Sequence, residues 1–171
     1  MPTTIGVVSD THLPRFGRRL PAPLVDGLRA AEVELILHLG DMTAGFVPGL
    51  FEAIAPFDGV AGNNDEPELI ERFGRRKVID VEGVRLGLIH GDLGVGRTTP
   101  ARAAASFEPD EVDLVLCGHS HIPLVVGLDD GRRLVNPGSP TDKRAQPRYS
   151  WALVEVDAGA IVRAELVFFD R

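Results

Sequence analysis

Five short apolar runs, each followed by glycine or a polar residue, set the rhythm of this chain: Ile5–Val8, Leu35–Leu39, Phe57–Ala61, Arg85–Ile89 and Val112–Cys117. Runs of this length, bounded by turn residues, have the signature of buried strands. The stretches between the early ones read as helices: Pro23–Ala31, then Thr43–Ala55 with Thr43 placed to cap it. Asp65 and Glu68 have capping-box spacing, and Pro67 falls in the first turn of a short helix reaching Phe73. TTPARAAASF predicts another helix, capped by Thr98 or Thr99 with Pro100 in its first turn.

The later chain changes character. KVIDVEGVRLGLIHGD reads as a hairpin turning near Glu82–Gly83. IPLVVGLDDGRRLVNPG pairs two strands around Asp130–Gly131, a strong hairpin dipeptide. WALVEVD and AIVRAELVFF form a third pair around Ala158–Gly159. With βα units first and hairpins later, the expected α/β fold is one domain over residues 1–171, two sheets with helices outside.

The 44% hydrophobic and 25% charged content suits an ordered globular chain. The opening MPTTIGVVSD lacks a basic segment followed by a long apolar one, and no apolar run approaches the roughly 20 residues of a membrane span. Cys117 is the single cysteine, so no internal disulfide framework exists. A cytoplasmic location is expected. The formal net charge of −7 argues against a broad nucleic-acid surface, so no stable nucleic-acid partner is expected, and the lack of a long apolar run leaves no membrane partner expected either. Apolar edges in the late hairpins leave room for a homodimer.

The chemistry lies at the strand ends. The five runs lead into Asp10-Thr-His12, Gly40-Asp41, Gly62-Asn63-Asn64-Asp65, His90-Gly91-Asp92 and Gly118-His119-Ser-His121. Ligands in sheets with crossover connections bind beyond the carboxyl ends of strands. In extended chain, residues i and i+2 point the same way, which would aim Asp10 with His12, and His119 with His121, at one site. Carboxylate, imidazole and amide oxygen without thiolate suit Mn²⁺, Fe or Zn²⁺.

In order, these motifs resemble those of the calcineurin-like metallophosphoesterases. The short length and Asn136-Pro-Gly-Ser are similar to the family's small prokaryotic phosphodiesterase branch. The resemblance implies a four-layer α/β/β/α sandwich of two mixed sheets flanked by helices. It implies two divalent ions, with Mn²⁺ the leading candidate and Fe, Zn²⁺ or Ni²⁺ the alternatives. Asp10, His12 and His121 would hold the first ion, and Asn63, His90 and His119 the second. Asp41 would bridge them, and Asp41, Asn63 and His90 would form the catalytic core. The implied activity is hydrolysis of a small or nucleotide-like phosphodiester by a hydroxide shared between the ions. The alternatives are a phosphomonoesterase of the same fold and a non-catalytic interaction scaffold resembling the small retromer subunit.

Many members of that family carry a histidine after the Gly-Asn pair; here Asn64 stands there and cannot serve as a general acid near neutral pH. His38 is expected to be a packed, hydrogen-bonded residue outside the ligand set. Asp65 is expected to cap a helix or to brace a metal-binding histidine. Cys117 is expected to be a buried filler, and Asn136–Gly138 a backbone-shaping turn. Arg15, Arg18, Arg19 and Arg144 are expected to be solvated, although all could meet an anionic substrate.

Overall fold

A computed structural model describes residues 1–171. Two five-stranded mixed sheets face each other. The first takes β1 (Thr3–Val8), β2 (Leu35–His38), β3 (Phe57–Gly59), β9 (Tyr149–Asp157) and β10 (Ala160–Phe169) in the order β10-β9-β1-β2-β3. The second takes β4 (Arg76–Val81), β5 (Val84–Ile89), β6 (Leu114–Leu116), β7 (Leu124–Gly127) and β8 (Arg133–Asn136) in the order β4-β5-β6-β8-β7. In each sheet the three central or neighbouring crossover strands run parallel: β1, β2 and β3 in one, and β5, β6 and β8 in the other. The hairpin strands close the remaining edges antiparallel.

Side-chain alternation along the strands builds the layers. Ile5, Val7, Leu37 and Leu39 from the first sheet meet Val84, Leu86, Leu88, Leu114 and Leu116 from the second in a fully buried core. The opposite faces are covered by helices. Val8, Ile36 and Leu153 pack under α1 (Ala22–Ala30), α2 (Val47–Glu52) and α3 (Pro67–Phe73), with Trp151 and Phe51 among the largest buried groups. Val115, Cys117 and Leu134 pack under α4 (Thr99–Ala105) through Ala103, beside Phe107. The result is the expected α/β/β/α sandwich, with Cys117 as filler in its outer layer.

Two local expectations are corrected and a third is narrowed to one of its alternatives. The second helix begins at Val47, not Thr43. Thr43 instead has a left-handed φ of 80° and donates its hydroxyl to the carbonyl of Leu13, tying two loops together. Asp65 does not cap α3, whose capping position is Glu66 without a side-chain bond. Its carboxylate is turned inward, as described below. The fourth helix is capped by Thr98, whose hydroxyl accepts from the Ala101 amide at 3.2 Å. No helix is long and apolar enough to cross a membrane.

Candidate metal centre

The parallel strands of both sheets bring their carboxyl ends to one edge, and the polar loops that follow converge there. Asp10 follows β1, Asp41 follows β2, His90 follows β5, and His119 and His121 follow β6. The convergence does not use extended backbone. Asp10, His12, Asp41, His119 and His121 all have positive φ, between 47° and 68°. The i, i+2 rationale from strand geometry is therefore replaced by a different one: left-handed turns, costly for these residues, held in place by cross-loop hydrogen bonds. The Asp10 amide donates to Gly40 O at 2.9 Å, and the His12 amide donates to Asp41 O at 3.0 Å.

Each acidic or imidazole group is fixed from one side and left open on the other. Oδ2 of Asp10 accepts from Ser9 Oγ at 2.6 Å and from the His119 amide at 2.9 Å. Its Oδ1 has no hydrogen-bond partner. Nδ1 of His90 lies 2.7 Å from the Leu39 carbonyl, and Nδ1 of His121 faces the carbonyl of Asp142. A carbonyl can only accept, so both rings carry their proton on Nδ1 and offer the Nε2 lone pair. Nε2 of His12, His90 and His121 are all buried and unpartnered.

These open atoms face one another. Asp10 Oδ1 lies 3.7 Å from His12 Nε2, 3.8 Å from His90 Nε2 and 3.5 Å from His121 Nε2. Asp41 Oδ2 lies 3.5 Å from His12 Nε2 and 3.3 Å from His90 Nε2. Two overlapping triads result, Asp10–His12–His121 and Asp10–Asp41–His90, each able to hold an ion. Four orphaned polar atoms in so small a buried space would be costly without a cation to satisfy them. The donor set fits a divalent metal.

Electrostatics agree. Burial opposes ionisation of Asp41, but His90 and two donors from Asn64 outweigh it and hold the carboxyl well below its usual range. Burial likewise opposes a charged His90, yet Asp41 and Asp10 raise its pKa to about 9, so without an ion the ring also holds a proton on Nε2, which a bound cation would displace to reach the lone pair. The pair of carboxylates is thus a strong local field for cations. Burial pushes the Cys117 thiol up to about 12, which removes it as a nucleophile.

The model of the calcineurin-like phosphoesterase superfamily domain matches residues 4–159. The chain belongs to this superfamily. A probable metallophosphoesterase of Methanothermobacter thermautotrophicus is 39% identical over 140 residues, 82% of this chain and 78% of that one. A probable metallophosphoesterase of Methanocaldococcus jannaschii is 34% identical over 142 residues, 82% of this chain and 69% of its own. Among solved structures, Vps29 of Entamoeba histolytica in complex with Zn²⁺ is similar in fold, with a TM-score of 0.77, 22% identity and coverage of 98% of this chain and 100% of that one.

The paired triads are the dinuclear metal-binding active site of a calcineurin-like metallophosphoesterase. Asp10, His12, Asp41, His90 and His121 come together in them. His119 does not: it is half-buried, with its ring 5.1 Å from that of His90, while Asn63 is exposed. Asp10, rather than Asp41, is the residue common to both triads, although Asp41 reaches an imidazole of each.

Several residues brace the centre in ways the sequence does not reveal. Asp65 braces backbone, not a histidine: its carboxylate accepts from the amides of Asp41 at 2.9 Å, Gly62 at 2.6 Å and Thr43 at 2.6 Å. Burial nevertheless raises its pKa. Asn136 does more than shape a turn, because its amide donates to Gly118 O at 2.9 Å and Ser120 Oγ at 3.0 Å, on either side of His119. Ser139 Oγ donates to Asp10 O at 2.9 Å and Thr141 Oγ1 to Thr11 O at 2.6 Å. The Asn-Pro-Gly-Ser string was the available signal for this strap. Gly40, with φ of 102°, explains its own identity: a Cβ there would lie 2.6 Å from His90 Nδ1.

His38 stands outside the triads. The Gly40 amide donates to its Nδ1 at 3.1 Å, so its proton is on Nε2, 3.1 Å from Thr11 Oγ1. Burial lowers its pKa from 6.5 to about 3. Below pH 6.5 the unfolded chain takes up a proton that folded His38 refuses, so this residue makes folding less favourable as pH falls toward 3. Urea titrations of wild type and His38→Gln should therefore converge on acidification. The wild type should lose about 2 kcal/mol more than the variant between pH 7 and pH 5. A pH-independent difference would show that His38 is not held neutral.

Proposed function

We propose that the protein is a metal-dependent phosphodiesterase acting on a small or nucleotide-like diester in the cytoplasm, with Mn²⁺ as the working metal. The observation that carries this reading is the convergence of unpartnered Asp10 Oδ1 with Nε2 of His12, His90 and His121. Two bound divalent ions would supply Lewis acidity toward the phosphoryl oxygens and an activated water. Asp10, His12 and His121 would hold one ion, Asn63, His90 and His119 the other, and Asp41 would serve both.

The chain's own residues orient and neutralise. Nδ1 contacts to the backbone fix the rings of His90 and His121. Asn64 donates its amide N–H to Asp41 Oδ1 and its Nδ2 to Asp41 Oδ2, both at 2.9 Å, which holds the carboxylate in place. An amide cannot give a proton to a departing alkoxide, so diesters with acidic leaving groups should turn over fastest. Ser9 is committed to Asp10, and no side-chain nucleophile is needed.

The test is hydrolysis of bis-p-nitrophenyl phosphate by metal-stripped protein before and after adding Mn²⁺, beside p-nitrophenyl phosphate at equal concentration. Cleavage that needs Mn²⁺ and favours the diester supports the reading. Preference for the monoester would make the protein a phosphomonoesterase. No cleavage of either ester with Mn²⁺, Ni²⁺, Zn²⁺ or Fe²⁺, despite bound metal, would sink both and favour the interaction scaffold.

A further inference from the structure

A cavity of about 550 Å³ opens beside the metal centre. Of the triad residues only His12 reaches it, and the wall continues through Arg15, Thr43, Asn64, Asp142 and Arg144. Apart from Pro14 the lining is polar, with the His12 ring and the two guanidinium planes as its flat surfaces. Its volume falls in the range of small-molecule sites and exceeds what one phosphoryl group occupies. On a chain of net charge −7, two guanidinium groups at this mouth form a local field of the opposite sign.

Both arginines are on anchored backbone. Arg15 follows His12 and Leu13, whose amides donate to Asp41 O at 3.0 Å and Met42 O at 3.3 Å. Its guanidinium makes no ion pair and rests 5.4 Å from the centre of the Phe16 ring. Arg144, with a left-handed φ of 49°, ends the segment that Ser139 and Thr141 strap to Asp10 and Thr11. Asp142 is the one carboxylate on the wall. It is turned inward, 3.8 Å from His121 Nδ1, and its contact with Arg144 Nε is long, at 3.9 Å. An incoming phosphate could out-compete it with shorter, bidentate bonds.

We propose that Arg15 and Arg144 form an anion subsite that receives a second phosphate of the substrate, one not being cleaved. Resting on the phosphodiesterase reading, this narrows the substrate class to diesters that carry a further phosphate monoester, such as a short phosphorylated oligonucleotide. Neutral-ended diesters are then the poorer ligands. Arg18, over the Phe46 ring, and Arg19, beside Leu20 and Leu50, lie outside the cavity.

The probes are the thymidine dinucleotide TpT and its 5′- and 3′-phosphorylated forms, each made uncleavable with methylene groups replacing both ester oxygens of the internal phosphate. Dissociation constants are measured by titration calorimetry on the full chain loaded with Mn²⁺. Wild type should bind at least one phosphorylated form ten or more times tighter than TpT. In the double variant Arg15→Gln/Arg144→Gln that ratio should fall below about two, while Arg19→Gln keeps it. Equal binding of all three probes by wild type, or a ratio that survives in the double variant, would overturn the subsite. Because binding is read without turnover, failure to cleave bis-p-nitrophenyl phosphate would remove the phosphodiesterase reading separately and leave the ratio as the measure of the subsite.

Discussion

Asp41→Asn should lower Mn²⁺-dependent cleavage of bis-p-nitrophenyl phosphate by about a thousandfold or more, whereas His38→Gln, three residues away, should stay within about threefold. A thousandfold loss corresponds to about 4 kcal/mol of transition-state stabilisation. That is a reasonable loss when one of two buried carboxylates facing two cations becomes neutral. Asp41 Oδ2 sits within 3.5 Å of imidazole nitrogens from both halves of the centre. His38 faces Thr11 and the Gly40 amide instead. The two variants thus separate charge at the centre from packing beneath it. Equal losses would mean that the ligand assignment is wrong, provided both variants keep wild-type circular dichroism.

Adding Mn²⁺ to metal-stripped protein should raise the melting temperature by about 5–10 °C, and Asp10→Asn should abolish most of that rise. A ligand at a hundred times its Kd stabilises by about 2.7 kcal/mol. For a chain of this size each kcal/mol moves the transition by about 2–4 °C. Asp10 is chosen because it belongs to both triads and is fully buried. Asn keeps one oxygen to accept from Ser9 Oγ and the His119 amide, which turns its Nδ2 donor, in place of Oδ1, toward the ions. A calorimetric scan with and without metal reads the effect directly. An undiminished rise in Asp10→Asn would place the metal elsewhere.

Much of this molecule was legible in its sequence because strand ends and ligand motifs coincide. Apolar runs such as Arg85–Ile89 and Val112–Cys117 foretold buried strands, and the glycines after them foretold sharp turns. What misled was local chemistry with more than one use. Thr43 and Asp65 both look like helix caps, yet one bonds Leu13 and the other gathers three amides from two loops. Those partners are 22 to 30 residues away for the long-range bonds, beyond any local pattern. The left-handed backbone at Asp10, His12, Asp41, His119 and His121 was also invisible, because no glycine marks those positions. Nothing in the spacing of Arg15 and Arg144 links them; the strap from Ser139 and Thr141 to the first loop does.

The order of strands has a consequence for how the protein is made. The first sheet begins with β1 but is completed by β9 and β10, after the whole second sheet has been threaded between them in sequence. During synthesis β1 must therefore wait, with one edge unpaired, until Tyr149–Asp157 has left the ribosome. An open edge of apolar strand is a known invitation to wrong partners. Ribosome-bound chains stalled before residue 149 should thus be the species that chaperones meet.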